Sequence, residues 1–109
     1  MKPICIINSD GDKEWYLNGE LHREDGPAFE CINGDKWWYI NGELHREDGP
    51  AVEYANGDKE WYLNDESHRE DGPAVEWANG TKLWYYQDKQ IKCKDHQEFL
   101  RMIKLMAFL

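Results

Sequence analysis

The sequence predicts an all-β single domain, an antiparallel meander of stacked 23-residue β-hairpin repeats with a short C-terminal α-helix. Three observations point there. Aligned residues recur every 23 positions, at Gly11, Gly34, Gly57 and Gly80, at Trp15, Trp38, Trp61 and Trp84, and at Tyr16, Tyr39, Tyr62 and Tyr85. Asn-Gly pairs separate short runs rich in aromatic and β-branched residues, the strongest short-range hairpin signal. Beyond Tyr86 the apolar spacing lengthens from two toward about 3.6 residues, the helical period.

Residues 1–9 are expected to supply an N-terminal capping strand through Ile4-Cys5-Ile6-Ile7, giving the first repeat a neighbour. Full repeats span 10–32, 33–55 and 56–78, and residues 33–54 match 56–77 at 17 of 22 positions. Residues 79–92 form a partial capping repeat that keeps Trp84-Tyr85 but loses the His-Arg stretch. Within a unit, Ala28-Phe29-Glu30-Cys31-Ile32 and Lys36-Trp37-Trp38-Tyr39-Ile40 read as strands, and Asn33-Gly34 and Asn41-Gly42 as tight turns of type I′. A two-residue turn at Asn33-Gly34 sets Phe29 opposite Trp38, so that Phe29, Cys31, Trp38 and Ile40 share an apolar face. Val52, Tyr54, Trp61, Leu63, Val75, Trp77, Trp84 and Tyr86 extend that face, while Ala28, Glu30 and Tyr39 look outward. The corners Asp25-Gly26-Pro27, Asp48-Gly49-Pro50 and Asp71-Gly72-Pro73 are expected to turn the chain back into the next hairpin, glycine for its unusual φ and proline for its fixed one. The closing segment, 93–109, contains a helix from about 96 to 107. Asp95 is its N-cap with Glu98 as partner, and Phe99, Met102, Ile103 and Met106 form the stripe that covers part of the apolar face.

A length of 109 residues leaves room for one domain, 1–109. Twenty-two acidic against 13 basic residues give a net charge of −9, and residues 10–78 alone hold 19 acids and six bases. That balance excludes direct binding of nucleic acid or an anionic membrane by a basic surface. Six Trp, six Tyr and three Phe exclude a disordered acidic tail. Cys5, Cys31 and Cys93 are odd in number and irregular in spacing, which points to a reducing compartment. Cys31 stands where later repeats have Tyr54 and Trp77 and reads as a small filler; Cys93 has only His96 near it in sequence, a weak basis for a nucleophile. The N-terminal apolar run of four residues is shorter than the roughly 7–15 of a signal-peptide core. No run approaches the roughly 20 of a membrane span, so a cytoplasmic protein is expected.

His22-Arg23, His45-Arg46 and His68-Arg69, each followed by Glu-Asp-Gly-Pro-Ala, are the sharpest chemical feature. Three roles compete for them. Imidazole and carboxylate are metal ligands, yet neighbouring copies stand a repeat apart, too far for one ion. Arginine beside aromatic rings suits a nucleotide phosphate, yet the adjoining carboxylates repel it. A structural role, Arg paired with an acid and His bonded to a backbone carbonyl to stitch repeats, explains recurrence in every copy. Trp15, Trp38, Trp61 and Trp84 read as structural packing between hairpins, with a ligand-stacking groove as the alternative. Tyr16, Tyr39, Tyr62 and Tyr85 fall on the opposite face by alternation and are candidates for a recognition surface. No phosphate loop, nucleophile elbow or unique acid–base pair breaks the symmetry of the copies, so neither catalysis nor a cofactor or metal is expected.

The unit with Trp38-Tyr39-Ile40-Asn41-Gly42 resembles the MORN-like family of tandem β-hairpin repeats. With His68-Arg69-Glu70-Asp71-Gly72-Pro73-Ala74 and the ending Ile91-Lys92-Cys93, it is similar to repeat proteins of bacteriophages, large DNA viruses and some bacteria. The resemblance spans about 8–92; it departs from MORN repeats where Asp-Gly-Pro replaces their Gly-x-Gly step. It implies an interaction module without shared catalytic residues, and a viral inhibitor that binds a host protein, such as a defence or nucleic-acid-binding protein, through its acidic surface. A nucleotide-like ligand sponge and a plain scaffold are the alternatives. Open sheet edges leave a homodimer as a further partner to consider.

Overall fold

The computed structural model describes residues 1–107; the last two residues of the 93–109 segment lie outside the described residues. Among the described residues ten strands form one antiparallel meander, and Tyr39–Ile40 with Glu43–Leu44 and Tyr62–Leu63 with Glu66–Ser67 form two further two-stranded sheets. β1 (Ile4–Ile7) pairs with β2 (Lys13–Leu17), Cys5 opposite Trp15. The far side of β2 meets Glu20–Leu21 and, further along the same line, Phe29–Glu30. The arrangement then recurs. Lys36–Trp37 and Tyr39–Ile40 lie against Val52–Glu53 and Glu43–Leu44, and Lys59–Glu60 and Tyr62–Leu63 against Val75–Glu76 and Glu66–Ser67. Lys82–Tyr86 pairs onward with Lys89–Ile91, and α1 (His96–Met106) follows. Backbone bonds tie neighbouring hairpins, such as Arg46 N–H to Tyr62 C=O at 3.2 Å and Asp65 N–H to Leu44 C=O at 2.8 Å.

Two kinds of turn alternate. At Asn41-Gly42 both residues have positive φ, 50° and 79°, as type I′ requires. At Asn33-Gly34 the turn is longer: Gly34 N–H donates to Cys31 C=O (3.0 Å) and Cys31 N–H to Asp35 C=O (2.9 Å), with Gly34 at φ 103°. A three-residue loop therefore replaces the expected two-residue turn, and Phe29 lies opposite Trp37 rather than Trp38. A slip of one residue exchanges the faces. Phe29, Trp37, Val52, Tyr54 and Val75 thus lie on the tyrosine face, with Phe29 and Tyr54 both edge-on to Trp37 at 5.4 and 6.0 Å. The indole face carries Trp15, Trp38, Trp61 and Trp84 with Ala28, Ala51 and Ala74, alanines expected outside but fully buried at 0% exposure.

The corners also depart from expectation. Trp38 N–H donates to Ala51 C=O (2.8 Å) while Trp38 C=O accepts from His45 N–H (3.1 Å). One residue thus bridges both ends of the excursion 46–50, and the strand resumes in its original direction. The corner loops out of a strand without reversing the chain; residues 23–27 and 69–73 repeat the pattern.

α1 begins where the sequence places it. The Asp95 carboxylate accepts the Glu98 N–H at 2.9 Å, while the Glu98 side chain accepts from Lys94 N–H at 3.1 Å. Phe99 is fully buried, and Met102, Ile103 and Met106 are half-buried. Trp84 Nε1–H donates to His96 Nδ1 (3.2 Å), which sets the start of the helix on the indole face. The fourth unit has Lys92 where the others have Arg23, Arg46 and Arg69, so the helix occupies the side of the sheet that arginine covers elsewhere. Among the described residues no helix is long and apolar enough to cross a membrane.

Candidate functional site, the clefts between corners

Each corner is built around its arginine. The Arg46 guanidinium lies 4.0 Å above the Trp38 ring; Nε donates to Asp48 at 3.0 Å, and Nη1 to Pro50 C=O and Glu53, both at 3.0 Å. Arg23 on Trp15 and Arg69 on Trp61 repeat this at 3.9 Å. On the side away from the indole sits the corner glycine: a Cβ on Gly49 would fall 2.9 Å from the Arg46 Cζ. The expectation that these glycines serve an unusual φ is corrected, because Gly26, Gly49 and Gly72 have ordinary φ and are required by close approach.

Histidine joins one repeat to the next. His22 Nδ1 accepts the Asn41 N–H and His45 Nδ1 the Asn64 N–H, both at 3.0 Å, and His68 Nδ1 accepts the Gln87 N–H at 2.9 Å. The partner is a backbone donor rather than the carbonyl expected, so the lone pair is on Nδ1 and Nε2 faces Glu24, Glu47 and Glu70 at 3.7, 3.9 and 3.6 Å. A second set of stitches escaped the sequence reading. Asp12, Asp35 and Asp58 accept the N–H of Ile32, Ala55 and Ala78 at 3.0, 2.7 and 2.6 Å. Their 23-residue recurrence was the available signal.

Between successive corners lie open clefts. The first, about 810 Å³, has Trp38 and Ile40 as its floor and Glu24, Asp25, Glu47 and Asp48 along its walls. The second, about 470 Å³, repeats it with Trp61 and Leu63 between Glu47, Asp48, Glu70 and Asp71. A third, about 420 Å³, has Trp15 and Leu17 beside Met1, Lys2 and Pro3. The corner aspartates are wet, with side chains 87%, 88% and 86% exposed at Asp25, Asp48 and Asp71. The Arg69 hydrogen bond holds the Asp71 carboxyl below its ordinary range. The clefts suit a cation on an apolar stem.

The candidate residues do not converge on one site. His22, His45, His68 and their arginines line the cleft face but are engaged internally, whereas Tyr16, Tyr39, Tyr62 and Tyr85 are half-buried on the opposite face. Tyr16 O–H donates to Glu14 (2.8 Å) and Tyr62 O–H to Glu60 (3.0 Å). Burial and the Glu60 charge push the Tyr62 phenol up; the hydrogen bond to Glu14 does so first at Tyr16, and burial at Tyr39. Raised folded pKa values mean that this stability is complete below the free value of 10.0 and is lost as pH rises through the folded values. Burial raises the Tyr54 phenol as well, so alkaline titration by tyrosinate absorbance is expected to show four phenols ionising later than free tyrosine, with the thermal midpoint falling over the same range. Burial likewise pushes the Cys31 and Cys93 thiols up, away from thiolate chemistry. Among the described residues no three His, Cys, Asp or Glu side chains gather around a point that would hold a metal ion.

Fold and clefts together define a tandem β-hairpin repeat built on a ten-stranded meandering sheet with two short two-stranded ladders beside it. No protein-family model matches the chain, and no curated protein and no solved structure matches it either.

Proposed function

We propose that the protein is a non-enzymatic binding module whose partner presents lysine or arginine side chains to the corner clefts. One observation carries the reading: exposed carboxylate pairs, Glu24-Asp25, Glu47-Asp48 and Glu70-Asp71, rim clefts with apolar floors, while the arginines beside them are consumed by internal bonds. Two strand spacings of about 4.8 Å set successive clefts roughly 9.6 Å apart, a ladder of equal sites along the sheet. An acidic ladder of this kind adds on-rate and specificity toward a basic surface. The resemblance to MORN-like repeats of phages and large viruses supports a host defence or nucleic-acid-binding protein as that partner, blocked by occupation of its basic patch. Three free cysteines agree with a cytoplasmic setting. The nucleotide-sponge alternative loses its chemistry here, since the guanidinium that would hold phosphate already carries two carboxylates.

The test compares the wild-type chain with the triple variant Glu24→Lys, Glu47→Lys, Glu70→Lys, whose side chains are 83%, 85% and 65% exposed. Calorimetry against a lysine- and arginine-rich peptide is expected to show binding by the wild type that weakens at least tenfold in the variant and falls with salt. Equal binding by both, or salt-insensitive binding, overturns the reading, and heat from a nucleotide panel instead moves the assignment to the ligand sponge.

A further inference from the structure

We propose that two copies of the chain join edge to edge through β1, antiparallel about a two-fold axis that passes between their Cys5 residues. Independent of the clefts, the inference starts from backbone parity. Among the described residues β1 has one sheet neighbour, β2. Trp15, opposite Cys5, sends both its backbone groups the other way: its N–H donates to Ala28 C=O (2.8 Å) and its C=O accepts from His22 N–H (3.0 Å). Cys5 therefore occupies a non-hydrogen-bonded position of the β1–β2 pair, with its N–H and C=O directed to the open edge. Alternation places the groups of Ile7 and the C=O of Pro3 on the same edge.

That row of groups is complementary to itself. With Cys5 opposite Cys5 of the second copy, the two exchange both bonds, and each Ile7 N–H reaches the other copy's Pro3 C=O. Pro3 has no N–H to return, so the Ile7 C=O at each end of the pairing stays open to water. The side chains match too, Ile4 opposite Ile6 and Ile7 opposite Pro3, whereas a shift by one pair sets Ile4 against Asn8. β1 lacks the guards that end strands ordinarily carry: it has no charged residue, and Ile4, Ile6 and Ile7 are 69%, 49% and 65% exposed. The last strand, Lys89–Ile91, differs, presenting exposed Lys89 and Gln90. Pairing at β1 removes an apolar edge from water and makes one continuous sheet of two copies.

Light scattering coupled to size exclusion, on the full chain with reductant over a concentration series, is expected to give twice the monomer mass. Ile4→Lys and Ile7→Lys are expected to halve that mass while keeping the wild-type circular dichroism. The register has its own readout, because hydrogen-bonded partners stand about 5.5 Å apart between Cα atoms, inside the roughly 4.4–6.8 Å a disulfide spans. Diamide, which oxidises two thiols to a disulfide, is expected to yield a covalent dimer that disappears in Cys5→Ser and persists in Cys31→Ser and Cys93→Ser. A monomer at every concentration, a dimer that survives both lysine variants, or a cross-link that needs Cys31 or Cys93 overturns the proposal.

Discussion

Phe99→Ala is expected to lower the free energy of unfolding by about 3–5 kcal/mol, the cost of emptying a fully buried aromatic site. Phe99 is 0% exposed and stacks on His96 at 5.6 Å, and His96 in turn accepts the Trp84 indole N–H. Eleven residues of α1 are fewer than the roughly 12–15 at which an isolated helix is even marginal, so packing holds this one in place. Losing the phenyl ring therefore loses the helix as a lid, and the fourth indole, which has no arginine of its own, is left facing water. A repeat array whose units lean on their neighbours weakens when its end is uncovered. Denaturant unfolding followed by tryptophan emission and far-ultraviolet dichroism measures the loss. Leu105→Ser, on the same helix at 67% exposure, serves as control and is expected to stay within about 0.5 kcal/mol of wild type. A Phe99→Ala midpoint equal to that of the control contradicts the lid.

The two Asn-Gly turns show where sequence reasoning reaches and where it stops. A left-handed glycine ends a type I′ turn and a type I turn with a bulge alike, so the dipeptide predicts a hairpin and leaves its length undetermined. One further signal was available in the copies themselves. Gly42 is replaced by Asp65 in the next repeat and by Asp88 after that, at φ 68° and 70°, a region that aspartate tolerates. Gly11, Gly34, Gly57 and Gly80 are never replaced, and their φ of 90°, 103°, 100° and 94° lies further from what a side chain allows. The two positions are therefore different turns, and reading them as such would have placed Phe29 opposite Trp37. The corner is different in kind. That residues 46–50 leave a strand and rejoin it depends on Trp38 bonding to both His45 and Ala51, and no local pattern encodes a pairing of that range. Recurrence marked His45, Arg46 and Gly49 as structural or functional; only the geometry separates the imidazole that joins repeats from the guanidinium that shapes a corner.

Arg46 is the residue through which stability and the clefts are coupled. Arg46→Ala is expected to destabilise the protein by about 2–3 kcal/mol: charge-assisted hydrogen bonds are worth roughly 1.5–3 kcal/mol and a cation–π contact about 0.5–2 kcal/mol, discounted because Asp48 is exposed and Glu53 partly so. Arg46→Lys is expected to recover little of this. An ammonium presents a point charge where the corner uses a flat fork, and it cannot lie on the Trp38 ring while reaching Asp48, Pro50 C=O and Glu53 together. Gly49→Ala attacks the same sandwich from the other side, since its Cβ would intrude to 2.9 Å from the guanidinium carbon. A double-mutant cycle between Arg46→Met and Trp38→Leu isolates the stacking contribution, expected at about 0.5–2 kcal/mol. In the variants that stay folded, the freed corner no longer fixes Glu47 and Asp48 at the rims of two clefts. Binding of a lysine- and arginine-rich peptide should then fall even though neither carboxylate has been touched. If Arg46→Lys matches the wild type in both stability and binding and the cycle returns no coupling, the corner is held by its own backbone and the guanidinium is an ornament on it.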